Sequence, residues 1–145
     1  ARAEELENGD AVEFLESVPA AELQPQLSAA LCSLATLNPH GGYEHAFTSK
    51  IHSSLASGCP TIFSGPGPTA PFLHEAAQHV RAGVAVDYDP AQIADAMRGI
   101  ADRPLSPVER RAVSDWASEE HSMSAVAGRV ADVIISAGNA GRGRS

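Results

Sequence analysis

Residues 41–53 hold the densest group of side chains suited to chemistry. Glu44, His45 and His52 all lie in this stretch. A glutamate carboxylate accepts hydrogen bonds from a sugar or ribose hydroxyl, and a histidine can donate a proton to a leaving group or stabilise a developing oxyanion. Polar residues at the start of a helix also serve as caps and solvated neighbours. The sequence therefore leaves a catalytic and a structural interpretation open.

The same stretch has features of an anion site. Gly41 and Gly42 allow the backbone to approach a ligand closely, and a helix is predicted to follow them. The first N–H groups of a helix and its dipole attract phosphate groups. Lys50, predicted one turn into that helix, adds a positive charge suited to a diphosphate. A plain turn followed by a surface lysine explains these residues equally well.

Other chemical motifs are not found in the chain. His74, His79 and His121 lack the spacing of metal ligands. The segment Ser64–Gly67 is neither a nucleophile elbow nor a dinucleotide-binding fingerprint. Cys32 and Cys59 lie in apolar stretches and form no C-x-x-C motif, which predicts two buried free thiols. We expect neither a metal nor a bound cofactor.

The chain has 145 residues and a net charge of −8, which fits one domain and disfavours binding to nucleic acid. No apolar run reaches the ~20 residues that a membrane span needs, and no signal peptide is evident. We therefore expect a cytoplasmic protein, peripheral to the inner membrane face if it acts on a lipid. Nine of the ten basic residues are arginine, which hints at a bacterial source.

Apolar periodicity and turn residues predict alternating strands and helices. The predicted strands are 11–15, 32–37, 59–64 and 83–87, and the predicted helices are 20–31, 46–57, 69–81, 90–101, 107–118 and 122–136. Short apolar strands that alternate with helices indicate an α/β fold with a parallel, Rossmann-like sheet covered by helices on both faces.

Residues 1–137 are predicted to form one domain, with residues 1–7 as the end of a helix and 138–145 as a disordered tail. In an open parallel sheet, ligands bind at the carboxyl ends of the strands. The loops that follow predicted strands, and therefore the expected sites, are 16–20, 38–46 and 64–69.

Three segments match a known family pattern. Val12–Pro19 resembles "v-x-F-x-G-x-v-p", Ser49–Ile62 resembles "s-K-x-x-E-x-x-A-x-G-x-P-v-i", and Asp89–Met97 resembles "d-x-x-x-l-a-x-a-i". With these motifs in order, residues 11–133 resemble the C-terminal, donor-binding domain of retaining GT-B glycosyltransferases. The resemblance implies transfer of a sugar from a nucleoside-diphosphate donor, with the nucleotide-sugar as substrate.

The resemblance also implies particular site residues. Glu44 and His45 would act on the donor sugar, and the turn after the first strand would lie near the nucleobase. The implied donor-binding residues are Ser17, Val18, Gly41, Gly42, Tyr43, Lys50 and Ser53.

Departures from the family pattern support alternatives. The family commonly has two glutamates eight positions apart, and aligning on Ala56–Pro60 puts His45 and Ser53 there instead. An N-terminal acceptor domain and the first strand and helix of this domain are also expected to be missing, so the chain alone should be inactive. The alternatives are a catalytically degenerate interaction module, with a homodimer through an exposed apolar surface, and a GT-B enzyme of another class such as a nucleotide-sugar epimerase.

Overall fold

The computed structural model describes residues 11–19 and 22–142, with side chains described up to residue 137. The elements in chain order are α1 (Gln24–Ala29), β1 (Ser33–Thr36), α2 (Lys50–Ala56), β2 (Thr61–Ser64), α3 (Thr69–Ala76), β3 (Gly83–Val86), α4 (Pro90–Asp102), α5 (Pro107–His121) and α6 (Met123–Arg142). The predicted helix over residues 1–7 lies outside the described residues.

The protein is an α/β fold built on a three-stranded parallel sheet in the order β1-β2-β3. All four residues of the central strand β2 are buried, because strands flank both of its edges and helices pack against it. Helices flank the sheet: α2 packs on β1 and β2, α3 packs on β2 and β3, and α4 lies against β2 and β3. This arrangement is compatible with a Rossmann-like fold.

The core lies between one face of the sheet and a layer of helices. Ala35, Phe63 and Ala85 are register partners across the sheet, so their side chains share this face. Buried residues of α2, α3 and α5 pack against them, with Ile51, Leu55, Leu73 and Val113 almost fully buried.

The C-terminal helices pack across the helical layer. α5 lies on α2, and α6 lies on α5. The Arg110 guanidinium of α5 donates hydrogen bonds to the backbone carbonyls of Ser28, Ala30 and Gly58. One side chain therefore binds α5 to the ends of both α1 and α2.

Local signals for helix ends are confirmed. Gly58 follows α2 with a φ of +68°, as expected of a residue that ends a helix in the left-handed region. The Asp89 carboxylate accepts from the N–H groups of Ala91 (2.7 Å) and Gln92 (3.3 Å). Ser106 and Glu109 form the predicted capping box at the start of α5.

The predicted strand 11–15 is wrong, since the structure has no strand within residues 11–19. Val12, Phe14 and Leu15 are exposed there. A strand persists only when its backbone groups pair with a neighbour, and β1 pairs with β2 alone among the strands of this sheet. The segment 16–19 consequently does not follow a strand, and residues 20–21 lie outside the described part.

Several helix boundaries also differ from prediction. α1 spans only Gln24–Ala29 of the predicted 20–31, and α5 continues to His121 instead of ending at 118. α2 begins at Lys50 rather than at 46, so Lys50 is its first residue and not one turn inside it. The Thr48 N–H donates to Thr69 Oγ1 (3.2 Å), so the segment before α2 is hydrogen-bonded to the first residue of α3. α3 ends at Ala76, where turns replace the last predicted helical turn. α6 continues helically to Arg142, past the start of the predicted tail at 138, and residues 143–145 lie outside the description.

Candidate functional site

The loop between β1 and α2 is shaped by local hydrogen bonds. Asn38 accepts from the Gly41 N–H at its carbonyl (3.0 Å) and from the His40 N–H at its side-chain oxygen (2.9 Å). Gly42 has a φ of +73°, a conformation that glycine adopts readily. The turn that the Gly41–Gly42 pair predicted is therefore present at the carboxyl end of β1.

A second loop, 65–68, packs against the first. A Cβ placed on Gly67 would lie 2.7 Å from the Ala46 carbonyl oxygen and 3.0 Å from that of Tyr43. The Leu37 N–H also donates to the Ser64 carbonyl (3.0 Å), which extends the pairing of β1 and β2 into these loops. The two loops therefore form one continuous rim at the edge of the sheet.

The end of β3 completes this rim. Ser64 Oγ donates to the Asp87 carbonyl at 2.8 Å. The Gln92 amide contacts Asp87 twice, accepting from its backbone N–H (3.2 Å) and donating to its carboxylate (3.0 Å). These bonds fix the backbone of Asp87 beside the end of β2.

A crevice of about 450 Å³ lies at this edge of the sheet. It is lined by Pro39, Gly65, Pro66, Ala70, His74, Ala85, Val86, Asp87, Tyr88 and Gln92. Asp87 and Gln92 offer a carboxylate and an amide, groups that bind hydroxyls, and Tyr88 offers an aromatic ring. Among these lining residues there is no lysine or arginine to neutralise a phosphate.

An apolar groove adjoins the crevice. It has a volume of about 310 Å³ and lies between β1 and α4, lined by Thr36, Tyr88, Asp89, Pro90, Ile93, Ala94 and Met97. Tyr88 lines both cavities and is about half exposed. One ligand with an apolar planar part and a hydroxylated part can therefore span the two.

The structure separates the residues singled out in the sequence. Gly41, Gly42, Tyr43, Glu44 and His45 all lie in the loop after β1, where each is exposed. They border the rim but do not line the crevice.

Lys50 and Ser53 lie elsewhere. Both line a smaller groove of about 220 Å³ between α1, β1 and α2, together with Leu23, Leu27 and Leu34. Ser17 is exposed and Val18 is half-buried in the irregular segment before α1. The predicted donor residues are thus spread over three places.

The crevice is also lined by four residues that were not predicted from the sequence: His74, Asp87, Tyr88 and Gln92. Asp87 and Tyr88 were detectable, because they directly follow a predicted strand and precede the Asp89–Pro90 helix start. His74 and Gln92 carry no such signal, because they enter the crevice through the packing of α3 and α4.

Both cysteines are free thiols and neither lines the crevice. Cys59 is buried before β2, and Cys32 is half-buried before β1. Burial raises the pKa of both thiols, which opposes thiolate chemistry.

The described residues contain no group of three histidine, cysteine, aspartate or glutamate side chains placed to hold a metal ion. No helix in the described part of the chain is long and apolar enough to cross a membrane. No protein-family model, curated protein or solved structure matches the chain.

Proposed function

We propose that this chain is the donor-binding part of a retaining GT-B glycosyltransferase and that it holds a nucleoside-diphosphate sugar in the crevice. One observation carries the proposal: three parallel strands end at one edge, and residues that follow each of them line the same crevice there. Ligands of open parallel α/β sheets bind at this edge. The resemblance of Ser49–Ile62 to the family motif supplies the donor class.

Two adjoining cavities suit the two halves of a nucleotide-sugar. The nucleobase would stack on Tyr88 in the apolar groove beside Ile93 and Met97. The ribose and sugar hydroxyls would bond to the Asp87 carboxylate and the Gln92 amide in the crevice. In this proposal Tyr88 positions the donor at the boundary between them.

The loop after β1 would face the reacting sugar. Glu44 and His45 are exposed there, so both are accessible to a donor and to an acceptor held by a further, N-terminal domain. Lys50 directly follows this loop at the start of α2, and in this proposal its exposed, flexible side chain leaves the groove beside α1 to bring a charge to the diphosphate. The reaction would take place in the cytoplasm.

A second candidate function is a non-catalytic binding module of the same fold. The charge of the crevice favours it: Asp87 is negative, and no lysine or arginine lines the cavity. A carboxylate repels a diphosphate unless a cation lies between them. Such a module would bind an uncharged or cationic ligand instead.

Calorimetric titration of the folded chain with UDP and GDP distinguishes these functions. If the donor is bound as proposed, Tyr88→Ala should lower the affinity about fivefold or more, since stacking of a base on an aromatic ring contributes ~1–3 kcal/mol. Lys50→Ala should also weaken binding. Arg98→Ala is the matched control, because it removes a positive charge from an exposed ion pair on α4.

Each outcome has a distinct meaning. If Lys50→Ala and Arg98→Ala lose the same amount of affinity, Lys50 contributes only its general positive charge and makes no specific contact with the nucleotide. Binding that survives Tyr88→Ala unchanged would refute the assigned position of the base. If circular dichroism shows that the chain is folded and neither nucleotide gives a heat of binding, the result would favour the non-catalytic module.

A further inference from the structure

Six aromatic and imidazole rings meet where α2, α3 and α5 converge, away from the crevice. This ring cluster consists of Phe47, His52, Phe72, His79, Trp116 and His121. His121 is central to it: its ring centroid lies 4.7 Å from that of Trp116 and 5.0 Å from that of Phe72. The rings of His52 and His121 are 6.1 Å apart.

His121 also lies at the joint between the two C-terminal helices. It is the last residue of α5, and Ser122 then breaks the helix with an extended backbone (φ −65°, ψ 154°) before α6 begins at Met123. The Ser122 hydroxyl accepts from the Ala125 N–H at 3.1 Å. The direction of α6 is therefore set by what holds residues 121 and 122.

Few other contacts restrain α6. Arg129 donates to the Glu120 carbonyl (2.5 Å) and lies 3.6 Å from its carboxylate. Val130, Val133 and Ile134 are all more than half exposed, and the described packing of α6 is against α5. The packing of His121 among the rings therefore helps to fix the joint.

Charged groups reach His121 from every neighbouring element. Burial lowers the pKa of His121 below its usual 6.5, and His52 on α2 and Arg129 on α6 lower it further. Glu120 on α5 and Glu75 on α3 act in the opposite direction. The packed position therefore favours the neutral imidazole, and acid weakens it.

We propose that the ring cluster is a pH-sensitive switch for the α5–α6 joint. With its imidazole neutral, His121 stays packed among the rings and α6 keeps its direction. When His121 accepts a proton from solvent, the new charge lies in a partly buried cluster, 6.1 Å from the His52 ring and near Arg129, and both of these neighbours disfavour it. His121 then leaves the cluster, and α6 moves free of α5. The switch does not depend on what the crevice binds.

The chain carries its own probe of this change, because Trp116 is its single tryptophan. Its fluorescence, followed from pH 8 to pH 5, should change with a midpoint below 6.5. Over the same range, hydrogen exchange of the α6 amides, corrected for the intrinsic pH effect, should quicken several-fold. His52→Gln should move the midpoint to lower pH, because it removes the like charge that helps to drive protonated His121 out of the cluster.

Two variants separate the switch from simpler effects. His79 stacks on Trp116 at 6.2 Å, so the fluorescence of Trp116 also reports on His79. In His79→Gln the exchange of α6 should still respond to pH. His121→Phe keeps an apolar ring in the cluster and should abolish the response.

The proposal is overturned if α6 exchange is the same at pH 8 and pH 5. An unchanged transition in His121→Phe would also overturn it. If that variant fails to fold, the midpoint of His52→Gln decides, and a midpoint equal to that of the unmodified chain counts against the switch.

Discussion

At the residue scale, Gly67 is what allows two loops of the candidate site to touch. It has a φ of +95°, and the carbonyl oxygens of Tyr43 and Ala46 occupy the space where a side chain would lie. Any other residue would have to adopt a strained backbone and displace the loop after β1. The close contact between the two loops of the rim therefore requires glycine at position 67.

We predict that Gly67→Ala lowers the free energy of unfolding by about 1–3 kcal/mol, the usual range for such backbone strain. The loss should appear in urea denaturation followed by circular dichroism. Gly99→Ala is the control: Gly99 lies within α4 with open space around its Cα, so it should gain about 0.5–1 kcal/mol. If Gly67→Ala and Gly99→Ala lost similar amounts of stability, the contact between Gly67 and the loop after β1 would be unimportant for the fold.

At the element scale, the capping box at the start of α5 links helix stability to pH. Glu109 accepts from the Ser106 N–H (2.8 Å) and from Arg81 (2.9 Å). The Ser106 backbone, then Arg81 and the Ser106 hydroxyl, lower the pKa of Glu109 to about 2. Because its pKa is lower in the folded chain, the carboxylate stabilises the fold above its unfolded pKa, near 4.5.

We therefore predict that stability falls as the pH drops from 4.5 towards 2, and that Glu109→Gln flattens this dependence. Urea denaturation at a series of pH values measures both. Glu119→Gln, an exposed position on the same helix, is the matched control and should retain the slope of the unmodified chain. If the stability of Glu109→Gln changes with pH in the same way as that of Glu119→Gln, the capping box does not link helix stability to pH.

At the scale of the whole molecule, the two cysteines report how the sheet opens. Cys59 is fully buried before the central strand, whereas Cys32 is half-buried beside it. Because β2 lies between β1 and β3, Cys59 gains access to solvent only when the sheet itself separates.

We predict that iodoacetamide modifies Cys32 in the native protein and modifies Cys59 only as the fold unfolds. Mass spectrometry across a urea gradient should show the second label appearing with the loss of helical circular dichroism. Cys32→Ser isolates the Cys59 signal. Rapid labelling of Cys59 without urea would show that the edge strand β1 separates from β2 under native conditions.

Much of the fold was predictable because its signals are local. Asp89–Pro90 and Ser106–Glu109 define helix starts through bonds that span three residues, and Gly58 ends α2 by its own conformation. The strand at 11–15 had the right residue pattern and failed, because a strand also needs a neighbour. The site was predicted only as far as the edge of the sheet, since Asp87 and Tyr88 lie there but were not selected.

The sequence by itself determined the alternation of strands and helices, their caps, and hence a parallel α/β sheet with its binding edge. Tertiary structure alone decided which side chains meet. It put Lys50 and Ser53 in a groove apart from the crevice, and it brought His52 and His121 into one cluster although they lie far apart in the chain. The physical reason is range: caps and periodicity act over a few residues, whereas cavities and ring contacts arise only when distant elements pack.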